Sequence, residues 1–410
     1  MMRTRPGRLY RRLAGWPLPL LNVVSPSLGT LTDSEISSVT IRRGSGSVQH
    51  EPATVEVALT DYAPVISDET LTVKLTSGAA YRIFQLTGAG TGTTPARFSG
   101  RVGRQTVEDT GRRQVTTLFG SSWTVQAART DEPRTMAATL STGSVAATLL
   151  SPSYIADKLN VTFNGTFDPL AETMTGSFND LFPKVTSDIG SYVSERRNGQ
   201  VIVQSWTERR ARADAAPTSV LPLTRSAALS PAGWEQPNEV RGSEYRIKLT
   251  TTAGATYIAE IGNAGGGLSG TRPVKDLDWT YFVAETDGWK YAYALASQGL
   301  DLFYRVPTVR FDLLELLASD SPGLRRQAGQ LLSLEAGDPV TFSSDWPVPL
   351  RGVLMADGIT EQITGSSWEI ELSLTPYRWA FGDWSPTVPA RMWGSARNTW
   401  ASEPRTWGAA

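Results

Sequence analysis

The chain has 410 residues with 39 basic against 40 acidic side chains, so no net field marks it as a nucleic-acid binder. It has no cysteine and one histidine, which removes disulfides, thiolate nucleophiles and cysteine-ligated zinc, and leaves little for histidine-based metal sites. No apolar run approaches the ~20 residues needed to cross a bilayer, and 37 glycines with 25 prolines indicate a folded, turn-rich chain of two to four domains.

In chain order, residues 1–30 read as a basic arm in which Arg3, Arg5, Arg8, Arg11 and Arg12 precede LAGWPLPLLNVV. The Arg11-Arg12 pair resembles a twin-arginine signal, but Pro17 and Pro19 break the apolar segment and no small-x-small cleavage site follows before Ser25. An extended arm that docks on a neighbouring subunit, with Arg11 and Arg12 as candidate contacts, fits better. Residues 31–130 carry strand signals in ISSVTIRRG, ATVEVALTD, LTVKLTSG, AYRIFQLTG, ARFSGRVGRQTVED, RRQVTTLFG and SWTVQAART, separated by Gly, Pro or Asp. Alternation in ATVEVALT sets Val55 and Val57 opposite Thr54, Glu56 and Ala58. This spacing predicts a first antiparallel barrel or sandwich.

Residues 131–235 are a mixed α/β region whose first part, to about 176, has no readable period. Val185, Ile189, Tyr192 and Val193 recur at helical spacing and predict a helix over Phe178–Arg197, with Pro183 in its first turn. Asn198-Gly199 predicts a tight turn into a strand through Val201 and Val203, and ERRARADAAPTS (208–219) a solvated connector. Residues 236–300 form a second mixed region, with a hairpin in NEVRGSEYRIKLTTTAGATYIAEIG and a helix in WKYAYALASQGL. In 301–376, LFYRVPTVRFDLLELL gives a strand and a helix. The following strands end in an alternation that sets Trp368, Ile370, Leu372 and Leu374 against Glu369, Glu371 and Ser373. Arg97–Val102 echoes Pro349–Leu354, and Gly-Ser-Ser-Trp recurs at 120–123 and 365–368, which points to internal duplication. Residues 377–410 form an extended tail in which Trp379, Trp384, Trp393, Trp400 and Trp407 are candidate docking residues for another chain or for the protein's own body.

Catalytic chemistry is nearly absent. His50 sits beside a turn, and no G-x-S-x-G elbow accompanies it. Gly265-x-Gly267-x-x-Gly270 matches a dinucleotide fingerprint in form, but Pro273 follows where the helix should begin, so a loop is the reading. Asp276-x-Asp278 and Asp312 with Glu315 supply paired carboxylates of the kind used for metal binding or glycoside hydrolysis; 40 acidic residues make such pairs inevitable. The sequence implies no catalytic residue, no cofactor and no metal.

Taken in order, these pieces resemble the hub, or minor tail, proteins of long-tailed bacteriophages, of the actinobacteriophage type. The resemblance rests on the R-F-x-G-R-V strand at Arg97–Val102, the helix and N-G hairpin in Val185–Ser205, and R-V-P-x-x-x-x-D-L at Arg305–Leu313. Gly337–Val340 and the strand Glu369–Pro376 complete it. It implies a mainly β fold of two small tail-tube-type barrels with two mixed α/β modules. It further implies a homotrimer at the tail tip, joining a sixfold tube to a threefold tip. Its partners would be distal tail or tail-tube proteins, other tip proteins and the tape-measure protein, with DNA only in transit. The protein would be made in the bacterial host cytoplasm and end in the virion. Two other readings stay open: a tail-associated cell-wall glycan hydrolase using paired carboxylates, and a wall-binding module using the C-terminal tryptophans.

Overall fold

The computed structural model describes residues 21–32, 35–44, 51–60, 69–88, 96–109, 111, 113–129, 133–138, 140–150, 160–165, 173–183, 192–205, 208, 221–230, 244–250, 256–262, 274–279, 306, 308–346 and 353–376. The basic arm, His50, the Gly-rich loop, the 289–300 helix expectation and the Trp-rich tail lie outside them.

An N-terminal β unit is built from β1 (Leu21–Ser25), β2 (Gly29–Thr32), β3 (Ile36–Gly44), β4 (Thr54–Thr60), β5 (Thr70–Leu75), helix α1 (Ser77–Thr87), β6 (Ala96–Asp109) and β7 (Gln114–Ser121). Its strands run antiparallel in the order β3-β4-β7-β6-β5-β1-β2. The alternation in β4 behaves as expected: Val55, Val57 and Leu59 are buried while Thr54 and Glu56 are exposed. Burying each such aliphatic side chain contributes about 1.5–3 kcal/mol, which fixes the face and hence the register.

Two predicted strands of this region are helical instead. AYRIFQLTG lies in α1, where Thr76 Oγ1 accepts from the Ala79 N–H at 3.1 Å and Gly88, at φ 65°, closes the C-terminus with its N–H on the Phe84 carbonyl. Ala79, Ile83 and Thr87 then form a buried stripe at helical spacing. The caps outweigh the β-branched content. SWTVQAART forms α2 (Thr124–Ala128), because the Thr124 hydroxyl is held by a buried carboxylate, described below, and Ala127 packs into a core.

The middle module contains β8 (Arg134–Met136), α3 (Thr142–Leu150), β9 (Asn160–Asn164), β10 (Met174–Gly176), α4 (Phe178–Pro183), β11 (Tyr192–Glu195) and β12 (Gln200–Gln204). The β11–β12 hairpin turns at Asn198-Gly199, with Gly199 at φ 82°, and β9 joins β12 in parallel. Of the helix predicted over Phe178–Arg197, Phe178–Pro183 is helical and residues 184–191, with Val185 and Ile189, lie outside the described residues; its last part is corrected, since Tyr192 and Val193 lie on β11, both buried. A separate core of Val145, Leu149, Leu181, Phe182, Val193 and Val203 holds this module. Further on, β13 (Leu221–Leu223) and β14 (Ala228–Ser230) precede a small sheet. There β15 (Glu244–Thr250) pairs antiparallel with β16 (Thr256–Gly262), as the hairpin expectation had it, and parallel with β17 (Val274–Trp279).

A C-terminal β unit follows, with β18 (Thr308–Asp312), α5 (Leu313–Ala318), α6 (Pro322–Ser333), β19 (Asp338–Phe342), β20 (Val353–Thr364) and β21 (Trp368–Pro376). Trp368, Ile370, Leu372 and Leu374 are all buried, as the alternation predicts.

The two units repeat one plan. The order β14-β18-β21-β20-β19 matches β3-β4-β7-β6-β5 strand for strand, and all these pairs are antiparallel. Two bulges recur at matching places. One lies between Ile36 and Ser38 and between Ala228 and Ser230; the other lies between Val102 and Arg104 and between Ala356 and Gly358. Duplication is therefore visible in topology, but the Gly-Ser-Ser-Trp echo does not carry it. Residues 120–123 leave β7 for α2, whereas 365–368 turn β20 into β21.

The units are joined by β3 on β20, antiparallel from Gly44↔Gly358 to Ser38↔Thr364. The described strands of both units thus form one continuous 13-stranded sheet over one shared core. Separate closed barrels are not traced among the described residues.

Candidate functional site

The seam between the units is where charge is buried. On β3, Val39 and Ile41 face the core and Arg43 continues their phase; on β20, Ile359 and Ile363 do so with Glu361 between them. Glu361 is 0% exposed and Arg43 1% exposed, and Arg43 Nη2 lies 2.6 Å from Glu361 Oε1. From β6, Arg97 reaches the same carboxylate with two hydrogen bonds, Nε to Oε2 at 3.0 Å and Nη2 to Oε1 at 2.6 Å. Trp368 Nε1 donates to Oε2 at 3.2 Å, and the Arg97 guanidinium lies 5.7 Å from the Trp368 ring centre.

A second carboxylate extends the cluster into the middle module. Glu335, just past α6, takes Arg43 Nη1 at 3.0 Å and Arg197 Nε at 2.6 Å. Arg197 lies at the β11–β12 turn, and its other guanidinium nitrogens donate to the carbonyls of Leu332 and Ser333. Arg97 Nη1 also donates to the Leu332 carbonyl, at 2.7 Å. Three arginines and two glutamates from five parts of the chain therefore share one network, with the α6 C-terminal carbonyls accepting from Arg97 and Arg197.

The electrostatics follow from this geometry. Burial by itself raises the Glu361 carboxyl, but the charges of Arg97 and Arg43 and the Arg97 hydrogen bond outweigh it and hold the group below the ordinary carboxylate range. Burial lowers Arg43, against the pull of Glu361 and Glu335. A third buried carboxylate, Glu195 on β11, accepts from the Ser122 hydroxyl and the Ala53 N–H, both at 2.8 Å, and from the Thr124 hydroxyl. It fastens the middle module to the N-terminal unit. Close packing completes the seam at Gly44, at φ 67°, where a Cβ would lie 2.0 Å from the Asp357 carbonyl oxygen.

The network holds parts together and offers no nucleophile–base pair. Asp312 is the N-cap of α5, accepting from the N–H groups of Leu314 and Glu315 at 2.9 and 3.2 Å, with burial raising its carboxyl. Its pairing with Glu315 is thus a helix start. Asp276 and Asp278 are strand residues of β17. Among the described residues, no group of three or more His, Cys, Asp or Glu side chains could hold a metal ion. The docking candidates Arg11, Arg12, Trp379, Trp384, Trp393, Trp400 and Trp407 lie outside the described residues. Arg43, Arg197, Glu335 and Glu361 were not singled out as site residues in the sequence, and Arg97 only as the start of the R-F-x-G-R-V strand. A signal existed: a charge in phase with buried aliphatic residues, in V-x-I-x-R on β3 and I-x-E-x-I on β20.

Against solved structures, the chain aligns along most of its length with a tail protein from Neisseria meningitidis, at TM-score 0.62 and 11% identity, covering 88% of this chain and 98% of that one. The 43 kDa tail protein of prophage MuSo2 from Shewanella oneidensis gives TM-score 0.59 and 10% identity, covering 89% of this chain and 99% of that one. The fold is that of phage tail proteins. A chain of the Francisella PdpA–VgrG complex aligns at TM-score 0.50 and 7% identity over 94% of this chain and 56% of that one. No family model and no curated protein matches the sequence.

Proposed function

We propose that this chain is a structural, non-enzymatic protein of a phage tail tip, a hub that forms a ring around the channel for DNA and the tape-measure protein. The observation that carries the proposal is the β3–β20 seam, which welds two copies of one strand plan into a single sheet and locks them with a buried ion network. A part that must transmit alignment between a tube and a tip needs two such units held at a fixed angle. With two units per chain, three chains supply six, and head-to-tail contacts close into a ring when the rotation permits. In this reading each unit completes a small barrel of tail-tube type in the assembled particle. The near-neutral chain suits a lumen that lets DNA pass without gripping its phosphates.

The remaining parts take supporting roles. Residues 1–30 are a docking arm, 31–130 the first ring domain, and 131–235 and 236–300 mixed modules on its flank. Residues 301–376 are the second ring domain, and 377–410 a tail whose tryptophans seat on a neighbouring distal tail, tube or tip protein. The likeness of fold to phage tail proteins supports a virion location, and assembly would begin in the host cytoplasm. The test is imaging of purified particles with the chain labelled. Three copies at the tail tip are expected; a labelled chain absent from tails, or a monomer that digests cell wall, overturns the proposal.

A further inference from the structure

The middle module grips both β units, on either side of the seam, through one short hairpin. Among the described residues its core, with Val145, Leu149, Phe182 and Val203, shares no residue with the core under the two units. The joint is made instead by polar groups and two close approaches on β11–β12. Toward the N-terminal unit, Glu195 accepts from the Ala53 N–H and the Ser122 hydroxyl, both at 2.8 Å, and from the Thr124 hydroxyl. Gly199 rests on β6, where a Cβ would lie 3.1 Å from the Ser99 carbonyl oxygen. Toward the C-terminal unit, Arg197 holds Glu335 at 2.6 Å. The Tyr192 ring packs on Gly337, where a Cβ would lie 2.6 Å from Tyr192 Cε1. All four anchors fall between Tyr192 and Gly199, two facing each unit.

We infer that the middle module is a movable body with two positions, docked and released, and that the β11–β12 hairpin is the latch between them. The chain enters the module at Ser122–Thr124, and there hinge and latch meet. Trp123 packs against the module core, while the Ser122 N–H stays on the Ala53 carbonyl at 2.8 Å. Glu195 holds the hydroxyls on both sides of Trp123 and so locks the turning point itself. A polar joint of this kind parts by exchanging its hydrogen bonds for water, whereas the two β units share an apolar core that would have to be torn. Arg197 and Glu335 are 16% and 12% exposed, so water already reaches that end of the latch. On release Glu335 keeps Arg43, and Glu361 keeps Arg43 and Arg97, so the seam stays shut while the module turns. A partner that binds the released position better shifts the balance by its differential affinity. The inference goes beyond the tail reading and does not depend on it.

The chain has no cysteine, so spin labels can be placed at chosen pairs. Gln85 on α1, Thr148 on α3 and Gln362 on β20 are all exposed. In the full-length chain, labelled Gln85→Cys/Thr148→Cys follows the module against the N-terminal unit, and Gln85→Cys/Gln362→Cys follows one unit against the other. Electron–electron distance measurements on the parent are expected to give one docked distance for the module pair. With Glu195→Gln and Arg197→Ala added, that pair is expected to gain a second distance in most molecules, while the pair across the seam keeps its parent value. If the combined change prevents folding, Arg197→Ala alone is measured in the same way, since that side chain is not fully buried. A single, unchanged module distance in the unlatched chain overturns the inference. So does a seam distance that moves with the module, which would make them one body. A chain that cannot fold with Arg197→Ala alone overturns it too, because a latch is dispensable to both cores.

Discussion

Glu361 neutralises two arginines that have almost no contact with water. Removing one member of a buried ion group leaves an uncompensated charge, at a cost of about 3–5 kcal/mol. Glu361→Gln is therefore expected to destabilise the fold by about that amount at pH 7, measured by urea unfolding. Replacing Glu361, Arg43 and Arg97 together with apolar residues should recover most of the loss, because the desolvation penalty goes with the charges. The same group sets an acid limit. Its folded-state carboxyl lies below the unfolded value of about 4.3, so its stabilisation is complete above that pH. It is lost as pH falls from there through the lower folded-state value. The gap between the parent and Glu361→Gln should thus be widest at pH 7 and shrink steadily in urea titrations as pH falls below about 4.3; a gap independent of pH would contradict the assignment. At Gly44 the limit is steric: with φ at 67° and the Asp357 carbonyl in the way, Gly44→Ala is expected to cost more than about 2 kcal/mol by the same measurement.

Elements were legible where one signal dominated. β4 and β21 alternate because one face is core, and period alone sets their register. The hairpin at Asn198-Gly199 was fixed by a residue pair that tolerates positive φ. α1 was misread because Ile83, Phe84 and Tyr81 look like strand residues, while the deciding groups, Thr76 and Gly88, sit at its ends. The helix expectation failed at Tyr192 and Val193 for a related reason: they fit a helical period by spacing, yet their burial comes from a sheet formed with β12 and β9. α3 was unreadable because Thr, Gly, Ser and Ala spread through TGSVAATLL blur the period, although Val145, Ala146, Leu149 and Leu150 are buried at helical spacing. The seam was the hardest part to see. Each arginine and glutamate is an ordinary charged residue locally, and only pairing over long sequence separations brings them together.

For the whole molecule, one core and one sheet run through both β units, so neither has a boundary at which to unfold alone. The two units are expected to melt in a single transition; calorimetry that resolves them into two, with the Glu361→Gln variant shifting only one, would show that the seam does not couple them. The second core, of Val145, Leu149, Phe182 and Val203, is distinct, and the middle module has its own route to melting.

The pairing of β3 with β20 also orders events in time. Synthesis runs from the N-terminus, and β3 is complete at Gly44 while its mate begins to pair at Gly358. At roughly 5–20 residues per second, the strand waits on the order of tens of seconds with that edge bare. During this interval Arg43 and Arg97 have no Glu361 to meet. Two adjacent, unneutralised cations repel close approach by other nascent copies, and they guard an edge that would otherwise template aggregation until its own partner arrives.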